Sequence, residues 1–291
     1  MQKTESVFVT GATGNQGGAA VRHLLSKGFH IKALVRNPDA IPAQLIRQNN
    51  VEIIKGDLND PASYRHHLQN LHAVFCNLQF TAGVNKEVQQ GLNLVDNCKE
   101  QGVKHLIYSS VVGCDLNTGI PHWESKFKIE KHIESTGINF TILRPASLYE
   151  NLLVPQVKSR VLKGKLVLPT AKNCIQQFVG ADDVGRISAI ILTNPEMYAG
   201  RTIGLAAEQM DGSQLATIFS EVLKREIKFQ QLPMFITRLI MGKGLAKMFR
   251  WINDHDGILV KDIDSLKKEF PGMLSIEKWI DNNFRPVSKE V

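Results

Sequence analysis

The sequence predicts an α/β protein with a doubly wound parallel sheet, and three observations carry this prediction. Short apolar runs alternate with stretches of helical spacing as far as Pro145. The first apolar run ends in a glycine-rich turn that leads directly into a helical stretch. Polar residues stand just after the ends of several runs. Alternation of this kind indicates right-handed crossovers, with a ligand lying across the carboxyl ends of the strands.

Each predicted element follows from its apolar pattern, its length and its flanking residues. The predicted strands begin at Val7 and then cover residues 31–35, 51–54, 73–78, 105–110 and 140–145. The predicted helices cover residues 18–27, 85–101 and 122–136. Gly102 and Gly137 are placed to end the last two helices. Asp60 followed by Pro61 is a further helix-start signal.

The turn after the first strand places Gly11, Gly14 and Gly17 at three-residue intervals. A glycine at the first position accepts backbone angles that a side chain forbids. The second lets a phosphate approach the main chain, and the third allows close packing of helix and strand. Free N–H groups at the start of the helix then face an anion. The first interval is one residue longer than in the general dinucleotide fingerprint, and a purely structural turn is the alternative.

Residues beyond the glycine turn bear on which nucleotide would bind. Arg36 stands about 20 positions further on, where an NAD site usually has an acidic residue for the ribose 2′-hydroxyl. A guanidinium suits a 2′-phosphate and favours NADP, an ordinary surface arginine being the alternative. Asp57 is placed to accept a hydrogen bond from an adenine amino group while Leu58 packs on the ring. A turn-forming aspartate is the competing interpretation.

Polar or glycine residues just past the strands share one predicted location. The carboxyl ends of parallel strands meet at one edge of a sheet, so residues that follow them are brought together there. This edge should hold Gly11, Arg36, Asp57, Asn77 and Ser109. The coincidence of five such positions indicates a ligand site more strongly than any one motif does.

The composition sets the broad class of the protein. The chain has 291 residues, 43% of them hydrophobic, with a formal net charge of +7. No apolar run approaches the roughly 20 residues needed to span a bilayer, and the first five residues are too polar to begin a signal peptide. A cytoplasmic protein without a membrane span is therefore expected. Its four separated cysteines are expected to be reduced and mostly buried.

Several functional classes are poorly supported by the sequence. Lys and Arg are scattered rather than concentrated in an arm or stripe, so nucleic acid is not the expected partner. Ser109 and Ser110 have no nucleophile-elbow motif around them, which argues against a serine hydrolase. The glycine turn lacks the Gly-Lys-Ser/Thr ending of a nucleotide-hydrolysing loop. Adjacent His66 and His67 have no further ligand at metal spacing, so no metal site is expected.

The motifs T-G-A-T-G-N-Q-G, L-V-R-N, G-D-L, H-W-E-S-K and L-R-P-A-S-L-Y-E-N-L occur in this order, with Ser109 and Ser110 at a strand end between them. Together they resemble the NmrA-like branch of the atypical short-chain dehydrogenase/reductase superfamily. The similarity covers most of the chain and is most specific through Asn151. It implies a Rossmann-type NADP-binding domain with a smaller C-terminal lobe. That family includes NADPH-dependent reductases, of quinones and phenylpropanoids among others, and non-enzymatic sensors that report the NADP state to a regulatory partner.

The resemblance also implies roles for individual residues. The turn cradles the pyrophosphate, Arg36 holds the 2′-phosphate, and Asp57 and Leu58 border the adenine. Lys126 lies beside the nicotinamide ribose. The residues of the turn are Gly11, Thr13, Gly14, Asn15, Gln16 and Gly17. Those along the rest of the cofactor are Asn77, Leu78 and Gln79, with Tyr149, Glu150, Asn151 and Leu152 closing over the nicotinamide end.

His122 and Lys126 are the predicted catalytic residues, four apart on one helical face. In the superfamily's Y-x-x-x-K motif, the lysine positions the ribose and the tyrosine donates a proton, and here His122 replaces the tyrosine. With an ordinary pKa of about 6.5, a histidine is a suitable proton donor at neutral pH. A helix-capping or solvent-facing histidine is the alternative. We therefore predict an NADPH-dependent reductase of a quinone or similar small electrophile. The alternative is a non-catalytic NADP(H) sensor of a regulatory protein, and a homodimer is compatible with both.

The second half is predicted to form the smaller lobe, interleaved with the first because no proline-rich or low-complexity linker separates them. The NADP-binding domain is assigned residues 1–150 with return segments at about 176–206, and the substrate or partner lobe 151–175 and 207–291. Residues 235–252 place Lys243, Lys247 and Arg250 on one helical face, with a largely apolar remainder. We expect a core helix that also walls the substrate pocket. A partner-docking helix and a membrane-surface helix are the alternatives.

Overall fold

The computed structural model describes residues 5–40, 50–80 and 83–285. The chain divides into two units. The first unit combines residues 1–145 with 181–204, and the second combines 146–180 with 205–291. The chain therefore passes from one unit to the other more than once.

The secondary structure alternates as predicted through the first unit. The strands are β1 Ser6–Val9, β2 His30–Val35, β3 Val51–Lys55, β4 Ala73–Asn77, β5 His105–Ser109, β6 Phe140–Pro145, β7 Ser147–Leu148, β8 Lys165–Leu168, β9 Gln176–Val179, β10 Arg201–Leu205, β11 Glu208–Met210 and β12 Lys228–Gln231. The helices are α1 Asn15–Ser26, α2 Val84–Glu100, α3 Pro121–Thr136, α4 Pro155–Val161, α5 Ala181–Thr193, α6 Pro195–Tyr198, α7 Gly212–Leu223, α8 Met234–His255, α9 Ile263–Glu269 and α10 Ile276–Phe284.

A seven-stranded sheet forms the centre of the first unit, in the order β10-β6-β5-β4-β1-β2-β3. The ladders from β6 across to β3 are all parallel. From β1 the chain adds β2 and β3 on one side, and then β4, β5 and β6 on the other. The sheet is therefore doubly wound, and its direction of growth switches between β1 and β4. This confirms the predicted Rossmann-type fold class.

Both faces of this sheet are buried. Phe8, Cys76, Tyr108 and Ile142 belong to a core that also contains apolar residues of α2 and α3. The alternate strand residues Val7, Val9, Phe75 and Ile107 are equally buried. Since neighbouring strand residues point to opposite faces, the sheet is covered on both sides, as a parallel sheet requires.

The predicted elements of the first unit are present, with one difference in how a helix packs. Helix α3 ends at Thr136, followed by Gly137 in the left-handed conformation, as predicted. Helix α2 carries Val88, Leu92, Val95 and Lys99 at helical spacing, and of these Val95 is buried and Lys99 is exposed. Its buried residues also include Glu87, Gly91, Leu94 and Cys98. A charged residue thus lies within the buried stripe, which apolar periodicity alone does not reveal.

The second unit contains two small sheets and its own core. Strand β9 pairs parallel with β7 and antiparallel with β11, and β8 pairs parallel with β12. The core includes apolar residues of α7 and α10, among them Leu215, Phe219, Trp279 and Phe284. Trp279 and Phe284 therefore pack the final helix, α10, into this core.

The expected core helix at residues 235–252 is only partly buried. Helix α8 is interrupted at Gly242, whose φ of 84° and ψ of 172° lie outside the helical region. Its first part exposes Phe235, Leu239, Ile240 and Met241, so the expectation of a core helix is wrong for this part. Later in α8, Ala246 and Ile252 are buried. Within the described ranges, no helix is long and apolar enough to cross a membrane.

Candidate active site

The glycine turn folds tightly after β1. Gly11 has a φ of +64°, and the Gly14 N–H donates to the Gly11 carbonyl at 2.9 Å. A Cβ atom added at Gly17 would lie 2.1 Å from the same carbonyl oxygen, far inside van der Waals contact. Gly17 is therefore required for the close approach of α1 to the turn, the role that its spacing predicted.

The N-terminus of α1 has the electrostatic character of an anion site. Among the described residues, no side chain caps this helix end, and its first turn contains no acidic residue. Thr13 and Asn15 are exposed beside it. The N–H groups of the first turn and the positive end of the helix dipole are therefore not neutralised by the chain's own carboxylates. Phosphate groups bind well at such helix ends.

Hydrogen bonds join the glycine turn to the ends of the neighbouring strands. The Thr10 hydroxyl donates to the Asn77 carbonyl at 2.9 Å and accepts from the Asn77 N–H at 2.8 Å. The Ser109 hydroxyl donates to Gln16 Oε1 at 2.6 Å. Asn77 and Ser109 are register partners on β4 and β5. The turn, Asn77 and Ser109 thus form one continuous edge, at the location predicted from the sequence.

Arg36 and Asp57 follow the adjacent strands β2 and β3. The Gly56 N–H donates to the Val35 carbonyl at 3.0 Å, which brings the two strand ends together. Arg36 is exposed and forms no ion pair with any described residue. The Asp57 Oδ1 atom accepts from the Asn59 backbone N–H at 2.9 Å and from its side chain at 2.8 Å. Asp57 therefore does form a turn, and its Oδ2 atom has no partner among the described residues.

The side chains of Leu58 and Leu78 pack in or against the core of the first unit. Leu58 is half-buried against the core of the first unit, and Leu78 belongs to that core. Gln79 next to Leu78 is exposed. A role for Leu78 beside the cofactor would therefore involve its backbone, and it stays a prediction.

Lys126 is held by a buried carboxylate that the sequence did not identify. Its Nζ atom lies 3.0 Å from Glu87 Oε1, with the two side chains 10% and 0% exposed. The Ser125 hydroxyl donates to the other Glu87 oxygen at 2.6 Å. Lys126 Nζ also donates to the Ser109 carbonyl at 3.5 Å, at the end of β5. The ammonium group is thus fixed in position beside the strand-end edge before any ligand binds.

His122 lies one turn before Lys126 and is buried. Its ring stacks on Phe80, with ring centroids 4.8 Å apart and an interplanar angle of 26°. Burial lowers the His122 pKa from 6.5 to about 4, although the nearby Glu87 carboxylate opposes this change. The expectation that His122 has its ordinary pKa is therefore wrong, as are the alternatives of a solvent-facing or capping histidine. At neutral pH the imidazole is uncharged and offers only its single N–H as a donor.

Residues 149–152 form a short helical turn in the second unit. The Tyr149 hydroxyl donates to Glu208 Oε2 at 3.2 Å and to the Leu274 carbonyl at 3.3 Å, and its ring is fully buried. Glu150 accepts from Trp279 Nε1 at 3.1 Å. Leu152 is buried and Asn151 is exposed. These contacts explain the positions of the side chains within the second unit, and their predicted role at the nicotinamide stays a prediction.

Sequence reasoning missed Glu87, Ser125 and Phe80. For Glu87 a signal was present, because Glu87, Gly91, Leu94 and Cys98 follow the four-three-four spacing of one helical face. An acidic residue in such a stripe indicates a buried partner. Neither Ser125 nor Phe80 carries a comparable signal, since Ser125 bonds Glu87 only when α2 packs on α3 and Phe80 meets His122 through the tertiary fold. Among the described residues, no group of three histidine, cysteine or acidic side chains is arranged to hold a metal ion.

Comparison with known proteins identifies the family. The family model described as the NmrA-like family matches residues 3–280, nearly the whole chain. The chain belongs to the NmrA-like family. This NmrA-like chain is 23% identical over 98% of its length to a chloroplastic Arabidopsis thaliana protein named for a high chlorophyll fluorescence phenotype, covering 76% of that protein.

Solved structures share the fold of this NmrA-like chain. An NADPH-dependent quinone oxidoreductase from Escherichia coli, complexed with NADPH, superposes with a TM-score of 0.80 at 21% identity, over 96% of this chain and 100% of the other. NmrA, a negative transcriptional regulator solved in complex with NADP, gives a TM-score of 0.77 at 21% identity, over 97% and 96%. A reductase and a regulator therefore share this fold, so the fold alone does not decide between them.

Proposed function

We propose that this NmrA-like protein binds NADP(H) along the strand-end edge of its first unit and reduces a quinone or similar small electrophile. The observation that carries the proposal is the link from the glycine turn to Lys126. Gln16 of the turn bonds Ser109, and the Ser109 carbonyl accepts from Lys126. A phosphate-binding helix end and a fixed ammonium group therefore lie along one edge. The NADPH complex of the structurally similar quinone oxidoreductase supports the choice of cofactor.

The residues along this edge fit a phosphorylated dinucleotide. Main-chain N–H groups at the start of α1, within the turn from Gly11 to Gly17, would hold the pyrophosphate, because no side chain among the described residues caps that helix end. Exposed Arg36 would hold the 2′-phosphate through charge-assisted hydrogen bonds. The free Oδ2 atom of Asp57, with Leu58, would border the adenine. Asn77, Leu78 and Gln79 would line the part between the two ends.

The chemistry at the nicotinamide end would rest mainly on orientation. NADPH supplies the hydride, which carries two electrons to the electrophile and leaves NADP⁺. Lys126, fixed by Glu87, would bind the nicotinamide ribose and so orient the ring. The neutral His122 is a weak proton donor at pH 7. A quinone suits this arrangement, because its reduced oxyanion takes its proton readily from water, whereas a simple ketone needs a stronger acid.

The test of the enzyme is NADPH oxidation with a panel of quinones, aldehydes and nitroaromatic compounds, followed by absorbance. Lys126→Ala should lower kcat/KM by about 100-fold because the ribose loses its positioning group. Lys128→Ala, at an exposed lysine of the same helix, is the matched control and should keep the parent rate. Parent activity in Lys126→Ala would contradict the proposed role.

Arg36 is tested by cofactor discrimination. Arg36→Glu should weaken NADPH binding by about 10- to 100-fold, because charge-assisted hydrogen bonds to the 2′-phosphate are lost, while NADH binding should change little. Lys104→Glu makes the same charge change at another exposed position and should leave both affinities unaltered. Calorimetry with both nucleotides measures the ratio. An unchanged ratio in Arg36→Glu would remove Arg36 from the cofactor site.

A second candidate function is a non-catalytic NADP(H) sensor that regulates a protein partner. His122 favours it, because a buried neutral imidazole stands where the reductase motif has its proton-donating tyrosine. The structural similarity to NmrA, a negative transcriptional regulator, is compatible with it. NADPH binding without turnover on any acceptor in the panel would support the sensor. Turnover that depends on Lys126 would exclude a purely non-catalytic role.

A further inference from the structure

The first part of α8 exposes a group of large apolar side chains that contribute little to the core. Phe235 is 74% exposed and Leu239 is 85% exposed, with Ile240 and Met241 also exposed. We call these four residues the apolar corner. Large exposed apolar groups that are close together mark a surface for interaction. Such groups are uncommon on a surface that only solvent contacts.

The apolar corner occupies more than one side of its helix. Leu239, Ile240 and Met241 are consecutive, and consecutive residues of a helix point about 100° apart. These residues therefore do not form a single flat face, although the side of the helix that carries Thr237 is buried. Directly after them, Gly242 leaves the helical conformation with a φ of 84°. A tip that is apolar on several sides suits a deformable apolar phase better than a flat protein surface.

The charges around the apolar corner have one sign. Arg238, Lys243, Lys247 and Arg250 are exposed, whereas the sequence from Leu232 to Ile252 contains no aspartate or glutamate. Arg238 and Lys243 form no ion pair with the described residues. The cores of protein interfaces are depleted in lysine, whereas basic residues beside apolar ones are typical of segments that bind anionic lipid surfaces. The pattern is complementary to lipid headgroups below and around an inserted tip.

We propose that the apolar corner inserts into the surface of an anionic lipid bilayer, with Arg238 and Lys243 against the headgroups. Insertion would be limited to the acyl–headgroup boundary, since the helix up to Gly242 has fewer than three turns. A few side chains and basic residues give reversible attachment of the protein to the membrane surface. This proposal does not depend on NADP(H) binding or on catalysis.

The test is sedimentation of the full chain with vesicles of phosphatidylcholine alone or with about 30% phosphatidylserine, an anionic lipid that gives the membrane a negative surface potential. The chain should bind the anionic vesicles only, and less at high salt because the charges are screened. Leu239→Asp combined with Ile240→Asp should reduce binding at least tenfold. Met197→Asp is the matched control at another exposed apolar residue, and it should bind like the parent.

Charge and folding are checked separately. Arg238→Glu combined with Lys243→Glu should also reduce vesicle binding at least tenfold, without removing an apolar group. All variants should keep the parent Tm, since the changed residues are exposed. Absence of vesicle binding by the parent, or parent-level binding by the Leu239→Asp/Ile240→Asp variant, would overturn the proposal. A third outcome is possible, in which the parent does not bind vesicles but associates with itself or with another protein. If the Leu239→Asp/Ile240→Asp variant then loses that association, the apolar corner binds a second copy or a protein partner instead.

Discussion

Helices α1 and α7 both begin after a short strand and turn, yet a side chain caps the N-terminus of α7 and none caps that of α1. In α7, Asp211 Oδ1 accepts from the Gln214 N–H at 2.8 Å, and Gln214 Oε1 accepts from the Asp211 N–H at 2.9 Å. This is a complete capping box. In α1 the capping position is Gly14, which has no side chain to donate or accept. One helix end is satisfied by the chain, and the other lacks a side-chain partner.

This difference indicates that α1 lacks local stabilisation at the end where we propose that a ligand binds. A capping side chain stabilises a helix by only a few tenths of a kcal/mol more than glycine does, so the glycine at α1 forgoes a small stabilisation. The glutamine near each helix start shows the same division. The Gln214 side chain accepts from the N–H of its own capping residue, Asp211, whereas Gln16 accepts from Ser109 at the end of β5. The N-terminus of α7 is thus a structural feature, and we infer that the N-terminus of α1 is kept open for a phosphate.

The largest expected effect comes from Gly17→Ala, which tests whether the open turn at α1 tolerates any side chain. A Cβ atom there would lie 2.1 Å from the Gly11 carbonyl oxygen, which belongs to the backbone and cannot rotate away. We expect the free energy of unfolding to fall by about 3 kcal/mol, with NADPH binding lost as the turn opens. Urea unfolding and calorimetry measure the two quantities.

Gly18→Ala is the matched control for this variant. Its added Cβ atom would be 3.3 Å from the Ala12 carbonyl, a contact that small movements relieve. Alanine also favours a helix over glycine by about 1 kcal/mol, so the net stability change should be small. If Gly17→Ala proves as stable as Gly18→Ala, the turn is more adaptable than its geometry indicates.

The next largest effect is on NADPH affinity, which Asn15→Asp should lower while it raises the stability of the protein. Asn15→Asp places a carboxylate in the first turn of α1, where the helix dipole stabilises it by about 0.5 kcal/mol. The same charge repels a pyrophosphate, so NADPH binding should weaken by about tenfold, or ~1.4 kcal/mol. Thermal unfolding without ligand and calorimetry with NADPH give the two signs.

Asn15→Ala separates the added charge from a lost contact. It should weaken NADPH binding much less than Asn15→Asp does, because it removes a side chain without adding a negative charge. Equal losses in the two variants would show that the Asn15 amide, and not the electrostatics of the helix end, determines the affinity. Stronger NADPH binding by Asn15→Asp would contradict an anion site at α1.

Removal of the cap at α7 should affect stability alone. Asp211→Ala leaves the Gln214 N–H without its acceptor, and we expect a loss of about 1 kcal/mol in the free energy of unfolding. Asp211→Asn keeps an acceptor oxygen and should retain most of the stability. NADPH affinity should not change in either variant. A fall in NADPH affinity with Asp211→Ala would show that the two helix ends are not independent.

The features that the sequence predicted are those determined by neighbouring residues. Strand β6, the end of α3 at Gly137 and the glycine turn all follow from local pattern and backbone geometry. The order of polar residues along the sheet edge follows from the parallel topology, which the strand–helix alternation already implies. For this reason the fold class and the positions of Gly17, Asn77 and Ser109 could be predicted.

Features that depend on tertiary packing could not be predicted in this way. The helical spacing indicates that Glu87 is buried, but its pairing with Lys126 depends on how α2 packs on α3, where a Cβ atom added at Gly91 would lie 2.7 Å from Ile129. The low His122 pKa follows mainly from its burial, and the ring stacks on Phe80, which is distant in sequence. Apolar residues at helical spacing predict a buried face, yet Leu239 and Ile240 are exposed. Pattern alone does not distinguish a core helix from an interaction surface.

The smallest expected effect compares the two glutamines. Gln214→Ala removes one hydrogen bond of the α7 capping box and should lower the free energy of unfolding by about 0.5 kcal/mol, with no change in NADPH affinity. Gln16→Ala removes the bond from Ser109 and should change NADPH affinity more than stability, because this bond connects the glycine turn to the strand that contacts Lys126. Paired urea and calorimetry measurements test this division. If both variants change only stability, the uncapped end of α1 has no special relation to the ligand, and its difference from α7 is one of local structure alone.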